Sequence, residues 1–318
     1  MQRGIAVRKG QHMTMRIAFI GLGHMGLPMA ANLSRSSDYT VVGFDLVPDA
    51  LEAARELGIA VETSAARAAA DADVVITMLP IGRHVIAAYL GTDGEPGLLA
   101  AVKPHSFFIE CSTIAVDDAR EVHRMAAAAG HRNVDAPVSG GVVGAEAGSL
   151  TFMVGGDDPD FVEAQPILST MGGRIIHCGG PGVGQAAKVC NNLILGASMI
   201  AVSEAFVLGE RLGLSNQALF DVASAASGQC WALTTNCPVP GPVPSSPANK
   251  DYAPGFAGAL MAKDLGLAVH AIKETGVQAQ IASLAEAIYR RFAEEGGAGQ
   301  DFSAIINTVR AAGDPAVL

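Results

Sequence analysis

Aromatic side chains are scarce. They make up 5% of the 318 residues, and Trp231 is the single tryptophan. An interior with so few rings has to be closed by Ala, Gly, Val and Leu, which suits tightly stacked α/β layers. Charge is scarce too, at 16%, and it leans acidic, with 31 Asp and Glu against 21 Lys and Arg for a net charge of −10. That balance argues against a nucleic-acid partner and against an anionic membrane surface. The five cysteines, Cys111, Cys178, Cys190, Cys230 and Cys237, form no CxxC pair and no His-spaced ligand pattern. They read as reduced thiols of a cytoplasmic protein, and no metal site is expected. Residues 1–14 are basic and polar with no apolar core, so they do not read as a secretory signal. A disordered extension is expected there.

The periodic pattern begins at Met15. Residues 16–20 form a short apolar run of buried-strand type. Gly21, Leu22, Gly23, His24, Met25 and Gly26 follow at once, and then a helical pattern over residues 27–33. Strand, G-x-G-x-x-G and helix together make a dinucleotide fingerprint. The first glycine permits the turn, the second admits the pyrophosphate, and the third lets helix pack on strand. A second strand over residues 39–44 ends at Asp45, placed to accept the ribose hydroxyls of NAD and to repel a 2′-phosphate. The next residues, Leu46, Val47 and Pro48, supply no arginine to hold such a phosphate. NAD is therefore the expected cofactor.

Further strands are expected over residues 74–78, 107–109, 134–135, 150–154 and 174–177, with Ala-rich helices between several of them. This alternation predicts a parallel, doubly wound sheet. Ligands of such sheets sit at the carboxyl ends of the strands. Leu79 and Pro80 follow one strand, and Ser112 and Thr113 another. Asp135-Ala-Pro-Val-Ser139-Gly140-Gly141 follows a third and ends in a hydroxyl and two glycines, a backbone nest that suits a carboxylate. Its other reading is an ordinary glycine turn.

After residue 178 no convincing strand appears. Helices are expected over residues 186–212, 216–226, 256–274, 281–295 and 302–312, with a Pro-rich loop at 237–254. The fold class is thus an α/β Rossmann-type domain (15–178) followed by an all-α domain (179–318), joined by a long central helix. On that helix Lys188 and Asn192 lie one turn apart on one face. Residues 193–202 are apolar on every side, which predicts all-round burial. A buried lysine needs a task or a partner.

Together these stretches resemble the β-hydroxyacid dehydrogenase family from about Met15 to Arg310. The motifs that carry the resemblance are FIGLGHMG (19–26), DAPVSGG (135–141), GVGQAAKVCNN (182–192) and MAKDL (261–265). Residues 148–156, 228–231 and 237–241 look like the branch that acts on 3-hydroxyisobutyrate. The resemblance implies NAD-dependent oxidation of that acid to methylmalonate semialdehyde, a step of valine degradation, with Lys188 as the catalytic acid/base. It implies that Ser139, Gly140, Gly141 and Asn192 hold the substrate. It also implies that Leu79, Pro80, Thr113 and Lys263 contact the cofactor or close the site. The matching family position at residue 84 is often asparagine; His84 here can still donate a hydrogen bond.

Trp231 reads as a core residue or as a wall of the substrate pocket, with residues 237–241 beside it. The histidines show no His/acid arrangement for proton transfer. Two alternatives stay open: a sibling enzyme acting on tartronate semialdehyde or another small β-hydroxyacid, and a non-catalytic cofactor-binding protein. Retention of Lys188 argues against the second. The apolar central helix predicts burial against another subunit, as a homodimer or homotetramer.

Overall fold

The computed structural model describes residues 14–92 and 94–312. The expected extension over residues 1–14 lies, apart from Thr14, outside the described residues. Eleven strands occur among those described: β1 Met15–Ile20, β2 Tyr39–Phe44, β3 Ala60–Val61, β4 Val74–Thr77, β5 Gly91–Thr92, β6 Glu95–Pro96, β7 Phe107–Glu110, β8 Arg132–Asp135, β9 Val138–Ser139, β10 Leu150–Gly155 and β11 Gly172–Gly179. The strands β5 and β6 form a small hairpin apart from the main sheet.

The main sheet runs β11-β10-β8-β7-β4-β1-β2-β3, with β9 pairing to β10. From β3 to β8 every pairing is parallel. The doubly wound expectation holds there, but β10 pairs antiparallel to β8 and to β9. β8 and β9 therefore run the same way, and the chain turns back over residues 140–149, through the short helix Gly141–Glu146, before β10.

Strand alternation explains why the sheet is covered on both faces. Ile17 and Phe19 of β1, Val74 and Ile76 of β4 and Phe107 and Ile109 of β7 enter one core cluster. Ala18, Ile20, Val75 and Phe108 enter the opposite one. Successive side chains of a strand point to opposite faces, and a parallel sheet buries both. In order along the chain, the layers include the helices Gly26–Ser34, Gly82–Leu90, Val116–Ala128 and Asp158–Ser169. The last of these carries Pro166 within it.

After β11 the described chain is helical: Val183–Arg211, Asn216–Ala225, Trp231–Thr234, Gly258–Thr275, Gln280–Glu294 and Ile305–Ala312, with short 3-10 turns. One of these, Val183–Arg211, is long and apolar enough to cross a membrane by length and composition. Here it is a core helix that packs on β10 and on the helix Gly258–Thr275. Its burial is one-sided. Met199 and Ile200 enter the helical core, while Ile194 and Leu208 face solvent. Within the single chain the helices that follow cover only part of its circumference.

Candidate active site

Because β2 and β3 return past β1 before β4 is laid down on its other side, the winding of the sheet reverses between β1 and β4. The carboxyl ends of β1, β4 and β7 therefore open onto one crevice, the ligand site of such sheets. Gly21 leads the first loop with a φ of +98°, and a Cβ there would lie 2.3 Å from the Met78 carbonyl oxygen. At Gly26 a Cβ would lie 1.9 Å from the Gly21 oxygen, so the loop closes only on glycines. Gly23, by contrast, faces open space.

The helix Gly26–Ser34 begins with no side-chain cap and no acid in its first turn. Its free N–H groups and positive dipole end are thus available to a phosphate. His24 is exposed at the mouth, Met25 is half-buried, and Leu22 is buried. Asp45 stands over this loop. Its carboxylate accepts the Leu22 N–H at 2.7 Å and the Val47 N–H at 2.8 Å. Each oxygen keeps a further lone pair for a ribose hydroxyl. These features fit a dinucleotide.

Leu79 and Pro80 follow β4, and Ser112 and Thr113 follow β7. The Leu79 N–H donates to the Ser112 hydroxyl at 2.7 Å, which stitches the two loops together. His84 is exposed in the first turn of Gly82–Leu90. From the helical side Lys263 reaches across, donating to the Thr113 carbonyl at 2.9 Å and the Pro80 carbonyl at 3.3 Å.

Beneath these loops lies Glu110, a group the sequence pattern does not single out. It is fully buried, accepts the Ser112 N–H at 2.7 Å, and takes a hydrogen bond from the Thr77 hydroxyl. Burial pushes its carboxyl up to about 7 against the pull of Ser112 and Thr77. The folded protein therefore keeps a proton that the unfolded chain loses near 4.5. The stability this contributes is full below pH 4.5 and is lost as pH rises through about 7, on the order of 3 kcal/mol at ~1.4 kcal/mol per unit. We expect Glu110→Gln to flatten this slope. Urea unfolding at pH 5 and pH 8 should show the variant gaining on the wild type at the higher pH. An unchanged difference between the two pH values would refute the reading.

Lys188 sits in the second turn of Val183–Arg211 and is 7% exposed. Burial holds its ammonium below the ordinary lysine range; the charge of Lys263 acts in the same sense and that of Asp264 against it. Asn192, one turn on, is buried and donates to the Asp264 carboxylate. Asp264, also buried, lies 3.3 Å from the Lys263 ammonium. The Lys263–Asp264 pair could also be read from sequence as a solvated helix-surface pair; here Asp264 is buried within this cluster.

The start of the lysine helix is held from the sheet. Asp135, at the end of β8, accepts the Gly182 N–H at 2.7 Å and the Gln185 N–H at 2.8 Å. It caps the helix from 47 and 50 residues away, so local sequence gives no sign of it. Burial lifts its carboxyl to about 6 despite these two donors. Gly140 and Gly141 adopt φ of +137° and +62°, directly after Ser139 and at the head of the short helix Gly141–Glu146. A Cβ at Gly141 would meet the Gly255 carbonyl at 3.1 Å, which brings the Pro-rich loop's end against this nest.

Trp231 is 52% exposed at the head of Trp231–Thr234 and stands outside the packed core. In residues 237–241 the burial is uneven, and Pro240 and Gly241 stay exposed. Cys237 and Val239 are fully buried and pack with Phe206, Leu233 and Ile306. Phe206 is 18 residues beyond Lys188, ~27 Å along the axis at 1.5 Å per residue. Apolar pressure from that second core takes Cys237 and Val239 inward. Among the described residues no His, Cys, Asp and Glu group is set to hold a metal ion.

Comparison with known proteins bears on this geometry. Residues 16–180 match the model described as the NAD binding domain of 6-phosphogluconate dehydrogenase. Residues 182–309 match the one described as NAD-binding of NADP-dependent 3-hydroxyisobutyrate dehydrogenase. A probable 3-hydroxyisobutyrate dehydrogenase of Mycobacterium tuberculosis is 56% identical over 298 residues, covering 94% of this chain and 99% of the relative. The chain belongs to the 3-hydroxyisobutyrate dehydrogenase family. It is an NAD-dependent oxidoreductase. An NAD-dependent L-serine dehydrogenase of Pseudomonas aeruginosa is 46% identical, covering 91% of this chain and 96% of the relative. The solved 3-hydroxyisobutyrate dehydrogenase of M. tuberculosis with L-serine superposes with a TM-score of 0.88 at 55% identity, covering 94% of this chain and all of that one. These relatives favour the 3-hydroxyisobutyrate branch of the family over the tartronate semialdehyde branch.

Proposed function

We propose that the chain oxidises the primary alcohol of 3-hydroxyisobutyrate to the aldehyde of methylmalonate semialdehyde, with Lys188 as the group that takes the alcohol proton. The observation that carries this reading is the burial of Lys188 where the helical part meets the carboxyl ends of the strands. Bound in the crevice, NAD supplies the hydride acceptor. The glycine loop from Gly21 to Gly26 and Asp45 would hold its pyrophosphate and ribose, and Leu79, Pro80, His84, Thr113 and Lys263 its remaining length.

The Ser139 hydroxyl and the backbone of Gly140 and Gly141 take the substrate carboxylate. The hydroxymethyl group then points to Lys188. A lysine lowered by burial presents neutral amine, which accepts the hydroxyl proton as the carbon–hydrogen bond breaks. In the reverse direction the ammonium donates to the aldehyde oxygen. Asn192 spends one amide hydrogen on Asp264 and keeps a second for the substrate oxygen. Trp231 borders the substrate from the helical side. The exposed Ile194, Ile281 and Leu284 form an apolar face on the helical part, which a second copy of the chain covers in a homodimer or homotetramer. The two domains divide at residues 178/179, and the free cysteines suit the cytoplasm.

L-Serine is the second substrate to test, because it appears with two of the relatives above. It differs from 3-hydroxyisobutyrate by an ammonium in place of a methyl. A pocket that pairs that ammonium strongly rejects the methyl, whereas an apolar one discriminates weakly. We expect kcat/KM to rank 3-hydroxyisobutyrate above L-serine and glycerate when all three are compared at one pH with NAD in excess. A higher value for L-serine would move the chain to the serine branch, and one for glycerate to the tartronate semialdehyde branch.

A further inference from the structure

Gln185 is completely buried, three residues before Lys188, and both ends of its amide are used. Its Nε2 donates to the Ser112 carbonyl at 2.6 Å, and its Oε1 accepts the Ile114 N–H at 3.2 Å. The two bonds bracket Thr113, whose own carbonyl takes the Lys263 ammonium. The backbone N–H of Gln185 meanwhile goes to Asp135. One residue thus joins the end of β7, the end of β8 and the first turn of the lysine helix.

We propose that Gln185 is a positioning residue: its amide fixes the register between the 112–114 loop and the helix that carries Lys188, and so sets where the lysine stands relative to the cofactor-facing loop. The proposal rests on the reading of Lys188 given above. Helix geometry makes the link direct. Residues three apart lie on one face with a ~4.5 Å rise. Helical side chains lean toward the N-terminus, so the lysine chain runs back over the turn that Gln185 anchors. An apolar residue in this place would fill the same volume but leave the helix able to slide. The two amide bonds remove that freedom at both edges of the Thr113 peptide. A displacement of ~1 Å at a reacting centre costs ~10²-fold in rate.

Gln185→Met keeps length and volume and deletes both bonds. It also strands the Ser112 carbonyl and the Ile114 N–H, each a destabilising change of known sense. The test therefore reads more than stability. Expected are a 10- to 100-fold fall in kcat (the order set by such a displacement), a Kd for NADH within ~3-fold of wild type, and faster amide hydrogen exchange in the 112–114 peptide. Wild-type kcat in the folded variant, or a loss that appears wholly as weaker NADH binding, would overturn the proposal. If Gln185→Met does not fold, Gln185→Asn, which keeps an amide but is one methylene too short to span both the Ser112 carbonyl and the Ile114 N–H, carries the same readouts. Lys188→Ala is run beside it. Full activity in Lys188→Ala sinks the reading of the lysine whatever Gln185 does. Loss in Lys188→Ala with no loss in either Gln185 variant sinks only the positioning role.

Discussion

Lys188→Ala should lower kcat by ~10²–10⁴-fold, the range expected when a general acid/base is removed. NADH affinity should stay within a few fold, because no part of the dinucleotide crevice is built from Lys188. The physical argument lies in burial. A lysine ammonium taken from water loses solvation that its surroundings must replace. Here the nearest acid, Asp264, is drawn on by the Lys263 ammonium and the Asn192 amide at the same time. The balance leaves the Lys188 ammonium below the ordinary range, so neutral amine is reached at lower pH than in water. Titration of NADH by fluorescence and steady-state kinetics on one preparation measure both halves of the prediction. Wild-type kcat in the variant would remove Lys188 from the chemistry.

The second large effect concerns the choice between NAD and NADP. We expect kcat/KM with NAD to exceed that with NADP by ~10²–10³-fold. A 2′-phosphate would be set against an Asp45 carboxylate that two backbone N–H groups hold in place. Like charges so placed cost several kcal/mol, and ~1.4 kcal/mol is a factor of ten. Leu46, Val47 and Pro48 bring no cation to offset this. The family description that mentions NADP matches residues 182–309, whereas the ribose end of the crevice lies within residues 16–180. Asp45→Ser should bring the two cofactors within ~10-fold by removing the repulsion and a ribose acceptor together. Equal use of both by the wild type would refute the role of Asp45.

What the sequence made legible, and what it hid, follows from the range of the interactions. The glycine loop between β1 and its helix, the acid after β2, and the lysine and asparagine one turn apart are all local patterns. Each is fixed by residues within a few positions of one another, and the structure places each where the pattern puts it. The strand alternation likewise shows in sequence, since burial on both faces forces continuous apolar runs. Other parts were invisible for a physical reason. Asp135 caps a helix 47 residues on, Gln185 binds a loop 71 and 73 residues back, and Asp264 holds an amide 72 residues away. Such bonds depend on how layers stack, and no periodicity encodes them. Glu110 looks like one more strand residue until Thr77 and Ser112 are seen around it. The 237–241 segment is split by the same kind of layering: Cys237 and Val239 join the core around Phe206, while Pro240 and Gly241 stay exposed.

The central claim is that Lys188, as neutral amine, takes the proton from the substrate hydroxyl. Its most direct test is the pH dependence of kcat/KM for 3-hydroxyisobutyrate oxidation, measured side by side for the wild type and Lys188→Ala. The wild type should rise with pH along a limb whose apparent pKa lies below the ordinary lysine value, because only the unprotonated amine accepts a proton. Any limb belonging to Glu110 would persist in the variant, so the two are separable. The account predicts that the lysine limb vanishes in Lys188→Ala. The same limb, at the same pKa, in a Lys188→Ala enzyme would contradict it.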